Sequence, residues 1–154
     1  MPKYEYLTHK QMNQYYSDVV QKIALDDFKP DVIIAPMRGG ADFGIKLSNY
    51  FNVRFEPIVW QTRDGSRKDI QQYFNILENY RNDNILLVDD ICDSGETLRD
   101  LIDIAVNQGT LTLKTAVAIQ NMECDIECDY AAREILRSEE SQWFIFPWEE
   151  WWKG

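Results

Sequence analysis

The segment 85–97 constrains the fold of this chain more than any other stretch of its sequence. Four apolar residues, 85–88, run directly into the acidic pair Asp89 and Asp90, and a short turn of small residues follows. An apolar run of this length, ended by acids and then by residues that favour a helix start, predicts a buried strand, a tight turn and a helix. We expect that helix over residues 96–107.

The rest of the chain repeats this alternation of strands and helices. Such alternation favours one α/β domain with a doubly wound, mostly parallel sheet. We expect a core over about 8–120 and a small hood, built from the C-terminal and N-terminal segments, over about 121–154. In such sheets ligands bind beyond the carboxyl ends of the strands, where two turns, 36–40 and 89–97, are expected to meet. The predicted helices are 8–28 and 41–51, with Thr8 as N-cap, the predicted strands are 32–35, 53–60, 85–88 and 113–119, and a loop is predicted over 61–72.

The composition of the chain limits the classes of partner that it is expected to bind. The 154 residues suffice for one domain with a real core. A formal net charge of −10 argues against a nucleic-acid partner, because such binding depends on Lys and Arg neutralising phosphates. No apolar run predicts a membrane span, and the first residues do not predict a signal peptide. Three cysteines give no disulfide framework, so we expect a cytoplasmic protein.

The turn after the central strand has the chemistry of a site for a phosphorylated sugar. Residues 94–97 offer unpaired amides and two hydroxyls at a helix start, which suits a phosphate monoester. Gly95 lets the backbone approach the anion closely. The carboxylates of Asp89 and Asp90 suit vicinal ribose hydroxyls and Mg²⁺. Asp93, in the turn itself, is placed to reach a base beyond the sugar.

The residues 85–97 resemble the phosphoribosyl-pyrophosphate (PRPP) binding motif of the type I phosphoribosyltransferases. That motif has four hydrophobics, two acids, two variable residues, then Asp-Ser/Thr-Gly and a Thr two positions on; neither a P-loop nor a dinucleotide fingerprint is present. The resemblance implies that the acid pair holds the ribose hydroxyls and that the turn holds the 5′-phosphate. It also implies that Asp93 faces the purine N7 and acts as general base. Glu96 departs from many relatives, which have Lys, Gly or Arg, and we expect it to point to solvent.

The turn Arg38-Gly39-Gly40 resembles the family's pyrophosphate loop. An Arg beside glycines lets a guanidinium and backbone amides meet a diphosphate, and we expect Arg38 to stabilise the leaving group. In relatives the peptide bond before this basic residue can be cis, so Met37–Arg38 is the candidate here. The implied PRPP-binding residues are Arg38, Gly39, Asp89, Asp90, Asp93, Ser94, Gly95, Glu96 and Thr97.

The loop 61–72 corresponds to the family's mobile loop, which closes over PRPP. Closure would exclude water from the reacting carbon. Positively charged and hydroxyl side chains of this loop could face the leaving pyrophosphate; these are Arg63, Ser66, Arg67 and Lys68.

The segment 143–149 resembles the ending of microbial xanthine–guanine and hypoxanthine phosphoribosyltransferases. By that resemblance Trp143 stacks on the purine and the Phe144 backbone reads its edge. Glu149 stands where an acid bonds the 2-substituent region or the water shell of a second metal. Gln120 occupies the place of a Lys that donates to the 6-oxo group in relatives. Because an amide donates and accepts, hypoxanthine, guanine, xanthine and a 6-amino base all stay open.

These features together predict a purine phosphoribosyltransferase. We expect it to move the phosphoribosyl group of PRPP to N9 of a 6-oxopurine, with Mg²⁺ held by Asp89 and Asp90. The alternatives are a transferase for another base and a non-catalytic PRPP-sensing regulator; the charge of −10 disfavours a regulator that binds nucleic acid. The resemblance also implies a homodimer or homotetramer.

Overall fold

The structure is a computed structural model that describes residues 3–62 and 67–153. Strands and helices alternate along most of that length. In chain order the elements are β1 (Tyr4–Tyr6), α1 (His9–Leu25), β2 (Val32–Met37), α2 (Ala41–Phe51), β3 (Arg54–Gln61), β4 (Arg67–Lys68), α3 (Ile70–Asn79), β5 (Asn84–Cys92), α4 (Glu96–Asn107), β6 (Thr112–Asn121), β7 (Tyr130–Ile135), β8 (Trp143–Ile145) and a 3₁₀ turn (Trp151–Lys153).

The main sheet has six strands in the order β4-β3-β2-β5-β6-β7. Every neighbouring pair is parallel except β3 and β4. Both faces of the sheet are covered, because successive side chains of a strand point to opposite sides. Along β5, Leu86 and Val88 join a core with α1 and α2, whereas Ile85 and Leu87 join a second core with α3 and α4. The predicted doubly wound α/β fold is confirmed.

Helix α1 begins as the sequence predicts. The Thr8 hydroxyl accepts the Gln11 N–H at 3.1 Å, and the Gln11 side chain accepts the Thr8 N–H at 2.9 Å, which is a capping box. The helix ends at Leu25 rather than at residue 28. Across the described residues, no helix is both long enough and apolar enough to cross a bilayer.

The predicted loop 61–72 is wrong over its second half. Arg67 and Lys68 pair antiparallel with the end of β3, and α3 then begins at Ile70. Asp69 starts this helix by accepting the Gln72 N–H at 2.9 Å, and its apolar face is buried against the sheet. The predicted loop residues Arg63 and Ser66 lie outside the described residues.

The C-terminal third contains strands that the sequence analysis did not predict. Strand β7 pairs with β6, so the main sheet extends beyond the expected boundary at 120 to Ile135. Strands β1 and β8 form a separate two-stranded parallel sheet. This small sheet joins the two ends of the chain, and we call it, together with the residues that follow it to Lys153, the hood. It is held to β7 by the Arg133 guanidinium, which pairs with Glu5.

Candidate functional site

The two turns that the sequence singles out line one cleft. Its volume is about 490 Å³, and it lies at the carboxyl ends of β2 and β5. The ends of β3 and of the hood complete the walls through Gln61, Thr62, Trp148 and Glu149. Every predicted PRPP-binding residue lines this cleft: Arg38, Gly39, Asp89, Asp90, Asp93, Ser94, Gly95, Glu96 and Thr97.

The acid pair lies at the centre of the cleft. Asp89 is buried and accepts the N–H of Asp90 at 2.8 Å, while Asp90 accepts the N–H of Ile91 at 2.7 Å. Burial, and then the charge of the neighbouring Asp90 carboxylate, raise the pKa of Asp89 well above its usual value. A cation or hydrogen-bond donors in the cleft would offset the cost of ionising this carboxyl.

Gly39 brings the turn 38–40 into contact with the acid pair. A Cβ at this position would lie 2.9 Å from Asp90 Oδ2, closer than real Cβ atoms come. The peptide bond between Met37 and Arg38 is cis, as the resemblance predicts. Gly40 then packs against the β5 backbone, where a Cβ would lie 2.6 Å from the Val88 carbonyl oxygen. Two glycines therefore let this turn lie directly on the central strand.

The turn 94–97 forms the start of α4. Gly95 has φ +82°, a left-handed conformation that glycine adopts without a steric penalty. Ser94 Oγ accepts the Glu96 N–H at 3.3 Å, and the Glu96 side chain is exposed, as expected. Thr97 Oγ1 lies 3.2 Å from Thr62 Oγ1, which links this turn to the end of β3. The arrangement offers a helix start and its amides to an anion in the cleft.

The metal-binding capacity of the site rests on the two adjacent carboxylates. Within the part of the chain that the structure describes, no three His, Cys, Asp or Glu residues form a group that could hold a metal ion. Mg²⁺ is usually bound by one or two carboxylates together with substrate phosphates and water, and Ca²⁺ or Zn²⁺ by fuller protein cages. Asp89 and Asp90 fit Mg²⁺ that is shared with a phosphorylated ligand.

A small cavity of about 40 Å³ lies beside the cleft, under the hood. The predicted base-binding residues Asp93, Trp143, Phe144 and Glu149 all line it. The Trp143 side chain is 44% exposed, so its ring is accessible for stacking. Glu149 Oε1 accepts the Phe146 N–H at 2.9 Å, which fixes this carboxylate at the border of both cavities. The structure therefore brings these side chains together.

Asp93 has a partner that the sequence analysis missed. Arg137 Nε donates to Asp93 Oδ1 and Arg137 Nη2 donates to Asp93 Oδ2, both at 2.9 Å. The two residues lie 44 positions apart, and Arg137 belongs to no recognised motif. The signal available was a basic residue, one of two in an otherwise acidic segment, six positions before Trp143. Asp93 therefore presents a carboxylate anchored by a guanidinium rather than an unpaired base.

The structure does not bring Gln120 to the other predicted base-binding residues. Its side chain is 1% exposed, and it lines neither cavity. The amide nitrogen donates to the carbonyls of Asn121 and Ile126, and the amide oxygen accepts the Cys128 N–H. Because these bonds occupy the amide, Gln120 shapes the loop 121–128 instead of reading a base. That loop places Ile126 beside Gly95, where a Cβ would contact it at 3.3 Å.

The described basic residues after β3 also lie away from the cleft walls. Lys68 Nζ pairs with Asp100 at 3.3 Å and lies over the Trp60 ring. Arg67 is exposed on β4. The structure therefore does not place either of them toward a pyrophosphate.

Comparison with known proteins identifies relatives along nearly the whole chain. The family described as "Phosphoribosyl transferase domain" matches residues 4–153. A solved purine phosphoribosyltransferase from Pyrococcus horikoshii has 24% identity and a TM-score of 0.73, covering 96% of this chain and 95% of that one. A Helicobacter pylori xanthine-guanine-hypoxanthine phosphoribosyltransferase has 18% identity and a TM-score of 0.74, covering 97% and 96%. At these identities the likeness shows the fold.

A curated relative has a different acceptor. The orotate phosphoribosyltransferase of Mannheimia succiniciproducens is 27% identical over an alignment of 135 residues, and the match covers 77% of this chain. The match covers 60% of that protein's own length. A purine and a pyrimidine acceptor are therefore both represented among the relatives.

Proposed function

We propose that this chain, which belongs to the phosphoribosyl transferase domain family, transfers the 5-phosphoribosyl group of PRPP to N9 of a 6-oxopurine and releases pyrophosphate. One observation carries the proposal. The acid pair, the helix-start turn 94–97 and the turn 38–40 line a single cleft, and a small cavity with an accessible aromatic ring adjoins it. These four parts correspond, in turn, to the ribose, the 5′-phosphate, the pyrophosphate and the base of the two substrates.

PRPP fits the cleft through three groups of contacts. The amides and hydroxyls of 94–97 bind the 5′-phosphate, and Asp89 and Asp90 accept from the ribose hydroxyls. Arg38 and the Gly39 amide bind the pyrophosphate, whose approach requires the absence of a side chain at Gly39. Mg²⁺, when bound at the acid pair, supplies positive charge that neutralises the diphosphate.

The base occupies the hood side of the cleft. Trp143 stacks on it, the Phe144 backbone reads its edge, and Glu149 accepts from the 2-substituent region. Asp93 accepts the N7–H and shares this proton, because its carboxylate is held as an acceptor by Arg137.

The reaction forms the N9–C1′ bond and breaks the bond from C1′ to the pyrophosphate oxygen, whose electron pair leaves with pyrophosphate. Arg38 stabilises the charge that develops on this leaving group, and such fixed electrostatic contacts are usually the largest contribution to the rate. The hood limits access of water to C1′.

Orotate is the second candidate acceptor, because the curated relative is an orotate phosphoribosyltransferase. Among the described residues, three carboxylates, those of Asp90, Asp93 and Glu149, line the small cavity with one arginine. An orotate carboxylate placed there would meet like charge, whereas a neutral oxopurine would not. This difference in charge favours the purine.

The test is a product assay with purified protein, PRPP and Mg²⁺. Each of hypoxanthine, guanine, xanthine, adenine and orotate is supplied separately, and the nucleotide is identified by its mass. The proposal expects a 6-oxopurine nucleotide and stoichiometric pyrophosphate. If orotidine 5′-monophosphate were the main product, the acceptor would be orotate and not a purine. PRPP binding without formation of any nucleotide would indicate a regulator. Asp90→Asn, which removes one ribose and Mg²⁺ contact, serves as the low-activity control.

We also propose a homodimer or homotetramer in a reducing cytoplasm. Exposed aromatic rings cluster at the two chain ends, on Tyr4, Tyr6, Trp151 and Trp152, and such patches favour association. All three cysteines are free thiols, which fits a reducing compartment. Light scattering at micromolar concentration tests the assembly, and a monomer mass would contradict it.

A further inference from the structure

Arg137 holds a position at the base-binding cavity that neither the sequence motifs nor the comparisons assign. Of the described residues that line this cavity, Arg137 alone is basic. The predicted reader of the 6-position, Gln120, is buried elsewhere with its amide occupied. The cavity therefore contains one fixed cation, and that cation is not the residue the resemblance indicated.

The contacts of Arg137 hold its guanidinium in one orientation. Nε and Nη2 donate to the two oxygens of Asp93, and Nη1 donates to the backbone carbonyls of Glu140 and Gln142. The plane also lies 5.3 Å from the centre of the Phe144 ring, within range of a cation–π contact. A guanidinium has five N–H donors, so among the described residues four are used and the second N–H of Nη2 remains.

The remaining donor lies on the nitrogen that contacts Asp93 Oδ2. A hydrogen-bond donor and an acceptor are therefore adjacent at the cavity wall. The edge of a 6-oxopurine offers the complementary pair, since N7–H donates and the neighbouring C6=O accepts. In adenine the 6-amino group donates, so it would face another donor and leave the guanidinium N–H without an acceptor.

We propose that Arg137 determines the acceptor base, donating from Nη2 to the 6-oxo group while Asp93 accepts from N7–H. This role rests on the proposed transfer to a purine. It takes the place of the lysine that the resemblance associates with position 120. A charged donor discriminates strongly between bases. A base that has no 6-oxo group, or that presents an amino group there, leaves the desolvated guanidinium N–H without an acceptor.

The substrate-side test needs no mutation. The kcat/KM of the wild-type protein is measured with hypoxanthine, with unsubstituted purine, which lacks the 6-oxo group, and with adenine. Loss of one hydrogen bond to a charged group predicts a decrease of roughly 10- to 100-fold for purine, and at least as much for adenine. Equal kcat/KM values for hypoxanthine and purine would overturn the role of Arg137 and leave the transferase proposal standing. Absence of turnover with every base would instead refute the transferase proposal.

The protein-side test compares Arg137→Met with Arg133→Met. Arg133 is a matched control because its guanidinium also lies over the Phe144 ring, at 5.0 Å, but does not line the cavity. Arg137→Met is expected to reduce the hypoxanthine-to-purine preference to within about 3-fold of unity, mainly through the KM for hypoxanthine. Arg133→Met is expected to keep the wild-type preference even if its stability falls. A folded Arg137→Met protein with the wild-type preference would overturn the inference.

The substrate-side test keeps the proposal decisive if Arg137→Met fails to fold, because it uses the wild-type protein. Thermal unfolding checks that each variant is folded before its base preference is compared.

Discussion

Alanine at Gly39 tests whether the turn 38–40 and the acid pair act as one PRPP site. The added Cβ would lie 2.9 Å from Asp90 Oδ2 and 3.1 Å from Oδ1, whereas ordinary contact begins at 3.4 Å. The Asp90 carboxylate must therefore move by about half an ångström. The same carboxylate accepts the Ile91 N–H at 2.7 Å, so its movement disturbs the geometry that the ribose hydroxyls and Mg²⁺ require.

The expected loss is in function more than in stability. Displacements of about 1 Å at a reacting centre can cost about 100-fold in rate, so we expect kcat/KM for PRPP to fall roughly 10-fold or more. The methyl group also blocks the approach of the pyrophosphate to the Gly39 amide. The φ of Gly39 lies outside the left-handed region, so alanine adds no backbone strain and lowers the conformational entropy of the unfolded chain. Because this gain offsets part of the crowding against Asp90, we expect the free energy of unfolding to fall by less than about 1 kcal/mol.

The assay is PRPP saturation kinetics with calorimetric titration of PRPP and Mg²⁺. Gly109→Ala is the control: it has φ +84°, and among the described residues, its two chain neighbours aside, no atom lies within 4 Å of the added Cβ. It therefore costs about 1 kcal/mol of stability through backbone strain alone. This control should keep the wild-type KM for PRPP. A wild-type kcat/KM for PRPP in Gly39→Ala would refute the idea that the two turns share one ligand.

Two further predictions concern residues near the cleft. Asp89→Asn should abolish most PRPP-dependent turnover but stabilise the ligand-free protein at neutral pH. Because burial and Asp90 raise the pKa of Asp89 above its usual 3.8, its contribution to stability is present below that pH and is lost as the pH rises through the raised value. Urea unfolding between pH 3 and pH 8 should therefore show no stabilisation by Asn at the acidic end and a growing stabilisation above it; a constant difference would contradict the burial argument. Gln120→Ala should cost about 2–4 kcal/mol of stability, because it leaves buried backbone groups of the loop 121–128 without partners, while keeping the wild-type ratio of kcat/KM for hypoxanthine and adenine. If a stably folded Gln120→Ala protein showed a changed ratio of kcat/KM for hypoxanthine and adenine, Gln120 would be the residue that recognises the 6-position.

The parts of the site that the sequence predicts are those made by short segments. Residues 85–97 form strand, turn and helix in the expected order, because hydrophobic pattern and turn chemistry act over neighbouring residues. The predicted end of the strand at 88 is wrong, since β5 continues through the acid pair to Cys92. The cis bond before Arg38 and the accessible ring of Trp143 were indicated by motif resemblance, which also depends on short segments.

The parts that the sequence did not predict depend on pairing across the chain. Asp93 and Arg137 are separated by 44 positions, and they meet because β5 and β7, the strands that precede them, both pair with β6. Gln120 does lie at the end of a strand, as the sequence indicated. The direction of its side chain could not be predicted, because it depends on hydrogen bonds to the carbonyls of Asn121 and Ile126 in the loop that follows. Helix α3 was not predicted because the polar residues before and after its cap, Asp69, were interpreted as a loop. The apolar face of the helix, formed by Tyr73, Ile76 and Leu77, begins only after those polar residues.

A competition experiment tests the central claim most directly. Hypoxanthine and orotate are supplied together in equal concentration, with limiting PRPP and Mg²⁺, and the nucleotides formed are separated and identified by mass. The account predicts inosine 5′-monophosphate as the main product, with pyrophosphate released in equal amount. Orotidine 5′-monophosphate as the main product, or consumption of PRPP without a nucleotide, would contradict it.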